Sequence, residues 1–178
     1  MSTSRKSIKS LAEGILNYYV FLTKCGVATS ISEHTLYEPL FRMLNKNKEI
    51  MVSCEFPVDL EKTTKGDKKR IDFVIQKHIP RKKSSVKEIS IYESKIQFAI
   101  ELKLLKKASK SYGKRAFEND TEKLLKLQNK QKSKFGKFIF AIYKTNRETE
   151  SIFGSNEDLN VTLNCVDATY KLDVIEVH

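Results

Sequence analysis

Phe98-Ala99-Ile100-Glu101-Leu102-Lys103-Leu104-Leu105-Lys106-Lys107 is an apolar run broken by one acid and one lysine, two residues apart. Side chains alternate faces along a strand. Phe98, Ile100 and Leu102 therefore share one face, and Ala99, Glu101 and Lys103 share the other. Residues 96–104 form the most apolar strand candidate of the chain, as expected of a central strand buried on both faces.

The neighbouring segments give this strand its setting. Arg70-Ile71-Asp72-Phe73-Val74-Ile75-Gln76 reads as an earlier strand, with Ile71, Phe73 and Ile75 on one face and Asp72 beside Val74 on the other. After the 96–104 strand, residues 114–132 return to helical spacing through Phe117, Leu124, Leu127 and Gln131. Residues 135–143 then read as a second buried strand. A helix between two buried strands predicts a crossover between neighbouring strands of one sheet.

Further out, residues 7–24 predict a helix, with Ile8, Leu11, Ile15, Tyr18 or Tyr19, and Leu22 at helical spacing and Gly26 as its stop. A second helix begins near Ser32 or Thr35, and Pro39 fits only in its first turn. Residues 50–57 predict a strand, 61–69 a polar turn and 77–88 a basic loop. Residues 89–92 suggest a short strand. Residues 161–165 and 170–177 alternate like a terminal hairpin. The order predicts an α/β fold with a mixed β-sheet flanked by helices. It is a single domain over 1–178, with a core at about 30–143, an N-terminal helix at 7–24 and C-terminal strands at 160–177.

The chain has 178 residues, enough for one domain with a real core. Lys and Arg number 33 against 22 Asp and Glu, a net charge of +11, which favours a polyanionic partner such as nucleic acid. Three scattered cysteines, Cys25, Cys54 and Cys165, predict buried, reduced thiols in a cytosolic-type compartment. They and the scattered histidines argue against a zinc site. No secretory signal or membrane span is legible, which predicts an intracellular protein. Tyr18, Tyr19, Phe138, Phe140 and Tyr143 are expected in the core.

If the 70–76 and 96–104 strands pair, Asp72 and Glu101 converge with Lys103 beside them. Two carboxylates, a backbone carbonyl and waters make a hard oxygen site for Mg²⁺. Such an ion can bind a phosphate oxygen and acidify water. A neighbouring lysine can orient that water or stabilise charge on the phosphoryl group.

Arg70-Ile71-Asp72-Phe73-Val74-Ile75 followed by Ile100-Glu101-Leu102-Lys103 resembles the PD-(D/E)XK nuclease superfamily, the restriction-endonuclease-like fold. Ser32-Glu33-His34-Thr35-Leu36-Tyr37-Glu38-Pro39-Leu40 resembles the start of that family's first core helix. The resemblance implies a restriction-endonuclease-like core and a Mg²⁺-dependent endodeoxyribonuclease, with Mn²⁺ able to substitute. It implies Asp72, Glu101 and the Leu102 carbonyl as metal ligands and Lys103 as the residue serving the attacking water. Glu33 would be the helix glutamate of the metal site, with Glu38 as its alternative. Phe117-Glu118-Asn119-Asp120-Thr121-Glu122-Lys123-Leu124 resembles a stretch that follows the Glu-x-Lys strand in these nucleases. There the Asp has a packing role close to phosphate, so Asp120 is not assigned to catalysis.

Two other acid-x-Lys triplets, Asp67–Lys69 and Glu93–Lys95, compete with Glu101–Lys103, and Glu93–Lys95 is the closer rival. Lys106, Lys107, Lys110, Lys114 and Arg115 follow the site directly and are candidates for gripping a DNA backbone. Nucleases that cut both strands commonly act as dimers, so a homodimer is one assembly open to the chain. The alternatives are an inactive nucleic-acid-binding or protein-interaction module on this scaffold, an RNA-directed nuclease, or an inhibitor borrowed from it.

Overall fold

A computed structural model describes residues 2–26, 31–44, 50–58, 70–77, 95–105, 110–132, 134–146, 152–153 and 157–178. The chain runs α1 (Ser2–Lys24), a 3-10 turn (Glu33–Leu36), α2 (Tyr37–Leu44), β1 (Ile50–Pro57), β2 (Arg70–Lys77) and β3 (Ile96–Leu105). It continues with α3 (Lys110–Gln131), β4 (Gly136–Thr145), a short 3-10 turn (Glu157–Leu159), β5 (Val161–Asn164) and β6 (Thr169–Glu176). These bounds follow the apolar runs closely, because each buried strand is a nearly unbroken stretch of Ile, Val, Phe and Leu.

One six-stranded mixed sheet has the order β1-β2-β3-β4-β6-β5. β3 and β4 are the parallel pair, joined by α3, as the crossover reading required. The other pairs are antiparallel. β5 and β6 form the terminal hairpin, and β3 lies in the interior of the sheet.

The sheet separates two apolar cores. On one face, Ile8, Leu11, Ile15 and Leu16 of α1 and Leu40 of α2 pack on Phe73, Ile75, Ile100, Leu102, Phe138 and Phe140. On the other, Leu124 and Leu127 of α3 pack on Val74, Ala99 and Ile139. Each fully buried aliphatic side chain contributes roughly 1.5–3 kcal/mol. Burial on both faces of β3 and β4 thus holds the centre of the sheet firmly. Gly26, at φ 78°, ends α1 in the left-handed region that favours glycine. At the start of β4, a Cβ on Gly136 would lie 2.8 Å from both the Phe98 and Phe138 rings, so glycine is what lets these rings close over the strand.

Three expectations change. Ile71 packs with Val74 and α3 rather than with Phe73. The strict alternation of β2 breaks at Asp72, opposite Glu55 of β1, a non-glycine residue at φ 53°. Glu55 is also missing from an otherwise continuous register in which Cys54 faces Phe73 and Phe56 faces Ile71. A residue in the left-handed region rotates the strand, so Val52 lies with the α1 core and Phe56 with the α3 core. The cysteines are not buried: Cys25 and Cys54 are exposed, Cys165 is intermediate, and none is in a disulfide. Helix α3 begins earlier than the apolar spacing indicated, at Lys110, because its first turns carry polar and basic residues with no apolar period.

Phe138, Phe140 and Tyr143 are core residues, and Tyr18 and Tyr19 pack against its edge. The suggested strand at 89–92, the turn at 61–69 and most of the basic loop lie outside the described residues. Among those described, no helix is long and apolar enough to cross a membrane.

Candidate active site at the open end of the β2–β3 ladder

The register of β2 on β3 places Phe73 opposite Ile100 and Val74 opposite Ala99. Continued one step, it would set Asp72 opposite Glu101. The backbone ladder stops before that step, and a side chain takes over. Asp72 Oδ2 accepts a hydrogen bond from the Leu102 amide at 2.7 Å. Its Oδ1 accepts one from the Tyr37 hydroxyl at 2.5 Å. A buried amide freed from a ladder needs an acceptor, and Asp72 provides it. The Asp72 carboxylate is thereby locked beside the backbone of Leu102, between β2 and the first turn of α2. Burial, the bond to Asp72 and that carboxylate's charge keep the Tyr37 hydroxyl protonated far above its ordinary range.

Glu101 projects to the α3 side, as alternation requires. It is 1% exposed. Its Oε1 faces the Lys123 ammonium at 2.7 Å. Its Oε2 has no hydrogen-bond partner among the described residues. Burial first, then the charges of Asp72 and Asp120, push the Glu101 carboxyl up to about 9 against the opposing pull of Lys123. The charge of Asp72 thus reaches Glu101 at this end of the sheet.

Lys103 lies two residues on and on the same face. Its ammonium is 3.2 Å from Asp120 Oδ2 and 3.9 Å from Glu33 Oε2. Burial opposes its charge, but Asp120 and Glu33 outweigh it and raise the pKa. Glu33 also accepts the Leu104 amide on Oε1 at 3.2 Å. Burial raises the Glu33 carboxyl, and Lys103 partly offsets that rise. An ion chain therefore runs Glu33–Lys103–Asp120–Lys123–Glu101, with a 2.9 Å pair between Asp120 and Lys123 as one of its links.

Of the residues marked in the sequence, the fold brings together Asp72, Glu101, Lys103 and Glu33, with the Leu102 backbone between them. Glu38 points elsewhere, pairing with Arg42 at the exposed surface of α2. Glu93 and the Asp67–Lys69 triplet lie outside the described residues, and Lys95 is exposed at the far end of β3. Lys106 and Lys107 also lie outside them. Lys110, Lys114 and Arg115 sit on the first turns of α3, and their side chains are not among those described.

Two participants were not assigned a role from sequence. Lys123 is one turn beyond Asp120, an i, i+3 spacing that puts both on the same helix face. Tyr37 is one turn after Glu33 and carried no signal beyond that spacing.

The donor set can be tested against a divalent cation. Glu101 offers a buried oxygen with no partner among the described residues, and Asp72 is fixed beside the Leu102 backbone. These are hard oxygen donors of the kind Mg²⁺ takes, with waters completing the shell. Among the described residues, no three His, Cys, Asp or Glu gather closely enough to hold a metal. The donors left at this point are two carboxylates, Asp72 and Glu101, beside the Leu102 backbone, while Glu33 is engaged by Lys103 and the Leu104 amide. No family model, curated protein or solved structure matches this chain.

Proposed function

We propose that the chain is a divalent-metal-dependent endonuclease that hydrolyses DNA phosphodiesters on a restriction-endonuclease-like core. One observation carries the reading. At the point where the β2–β3 ladder opens, Asp72 is locked beside Leu102 while Glu101 keeps a buried oxygen unpartnered among the described residues, and Lys103, on the same face, is held by Asp120 and Glu33. A buried carboxylate oxygen left without a donor costs stability, and such a cost is commonly retained for function.

In this reading Asp72, Glu101 and the Leu102 carbonyl hold Mg²⁺ or Mn²⁺. The bound ion supplies Lewis acidity to the phosphate and to water. Tyr37 and the Leu102 amide orient Asp72. Asp120 and Glu33 hold the Lys103 ammonium charged and aimed, so that it can orient the attacking water and stabilise negative charge on the phosphoryl oxygens. The net charge of +11 supplies salt-sensitive, sequence-independent attraction for the backbone.

A second reading is a binding module without turnover. It is favoured by Lys123, whose ammonium already occupies the Glu101 oxygen it faces. Incubation of supercoiled DNA and of single- and double-stranded RNA with Mg²⁺, Mn²⁺ or EDTA separates these readings. Metal-dependent nicking of DNA in preference to RNA is the expected result. Preferential RNA cleavage would make the chain an RNA-directed nuclease. Salt-sensitive binding with no cleavage of either polymer would leave the binding module.

A further inference from the structure

Lys123 has no place in the hydrolytic scheme, yet it lies against its key carboxylate. Its ammonium is 2.7 Å from Glu101 Oε1, 2.9 Å from Asp120 Oδ1 and 3.1 Å from the Arg70 carbonyl. Three oxygens converge on one nitrogen, from β3, α3 and the start of β2. Lys103 approaches Asp120 and Glu33 instead. Lys123 therefore stands in a cradle of oxygens, with Glu101 on one side and Asp120 on the other.

We infer that Lys123 is a built-in counter-ion of Glu101, displaced towards Asp120 when a divalent cation binds, and that it thereby sets the cation affinity of the site. The inference rests on the reading of Glu101 as a metal ligand. The physical argument is charge competition. Glu101 Oε1 is held by the ammonium, so an incoming cation must displace it, together with any proton on the carboxyl, or share its oxygens. A divalent ion is repelled by that ammonium twice as strongly as a monovalent one at equal distance, but gains twice as much from the carboxylates. Asp120 offers the displaced ammonium a second anion, so the exchange does not strand a buried charge. An ion as weakly attracted as Na⁺ or K⁺ does not displace it. The site thus admits divalent cations selectively and holds them less tightly than its carboxylates alone would.

The test is calorimetric titration of Mg²⁺ and Mn²⁺ into wild type, Lys123→Met and Lys123→Arg at one pH and ionic strength. Loss of the charge in Lys123→Met should tighten binding by about tenfold or more. Lys123→Arg, which keeps the charge, should stay closer to wild type. Binding by wild type that is unchanged or weakened in Lys123→Met overturns the inference and leaves the metal site standing. Absence of binding in all three proteins removes Glu101 as a ligand, and the inference falls with it. Should Lys123→Met fail to fold, the Lys123 side-chain methylene resonances of the wild type decide. They should shift with the occupancy of Mg²⁺, and resonances that stay fixed while Mg²⁺ binds would overturn the displacement.

Discussion

Two acids are each 1% exposed on the sheet, and they are treated in opposite ways. Asp173 of β6 lies opposite Ala141 of β4, which in turn lies beside Lys103 of β3. Its Oδ2 accepts the Tyr143 hydroxyl at 2.8 Å and the Phe153 amide at 2.9 Å. Tyr143 in turn accepts the Ile152 amide, and its ring meets that of Phe153 edge-on. Asp173 thus fastens residues 152–153 to the sheet, and hydrogen bonds repay its burial. Glu101 has an ammonium on one oxygen and, among the described residues, no partner on the other. Burial alone does not mark a functional acid. A buried acid left partly unsatisfied, with its carboxyl forced upward, is the one with a reason to meet a ligand.

The largest effect should come from the site that is unsatisfied. Asp72→Ala frees the Leu102 amide and removes a proposed metal ligand, so it should abolish both metal binding and cleavage. Calorimetry and a plasmid assay check both losses, and activity near wild type would take Asp72 out of the mechanism.

The satisfied acid should matter to stability instead. Asp173→Ala leaves the Tyr143 hydroxyl and the Phe153 amide without their acceptor and should destabilise the fold by about 2–3 kcal/mol. Chemical denaturation measures it. A loss below about 0.5 kcal/mol would mean that the tether does not hold the loop.

Glu101 should show the reverse of Asp173. Its folded-state carboxyl sits at about 9, above the ordinary 4.5, so protonation favours the folded state. That stability is complete below the ordinary value and drains away as pH rises through about 9. Without metal, Glu101→Gln should therefore match wild type in acid and exceed it at pH 9 by about 1 kcal/mol or more. Lys123 keeps Asp120 and the Arg70 carbonyl as partners in that variant. Melting curves across this range that fall together would show that burial does not strain Glu101.

The smallest effect belongs to Glu38. It pairs with Arg42 in the open, and Glu38→Ala should change stability by no more than about 0.5 kcal/mol and leave cleavage intact. A large loss of cleavage would make Glu38, rather than Glu33, the helix glutamate of the site.

Much of this contrast was legible in the sequence. The apolar runs at 70–76, 96–104 and 135–143 gave the buried strands, since only a strand covered on both faces can be so uniformly apolar. Alternation put Glu101 and Lys103 on one face, and the structure keeps them there. The opening of the ladder was not legible. It coincides with Glu55 at a positive φ, a conformation that its side chain does not advertise, and with the turn of Ile71 away from Phe73. Tyr37 and Lys123 reach the site through tertiary packing, which local spacing hints at but does not determine. The exposed cysteines illustrate a weaker kind of inference. Composition suggested buried thiols, but individual positions depend on the ends of α1 and the outer edge at β1.

The central claim is that Glu101 and Lys103 form the working pair of a metal-dependent nuclease. It is tested most directly by a time course of Mg²⁺-dependent DNA cleavage for wild type, Glu101→Gln and Lys103→Ala, each shown to be folded. The account predicts cleavage by wild type and a fall of about a hundredfold or more in both variants. Cleavage at the wild-type rate by either variant would contradict it.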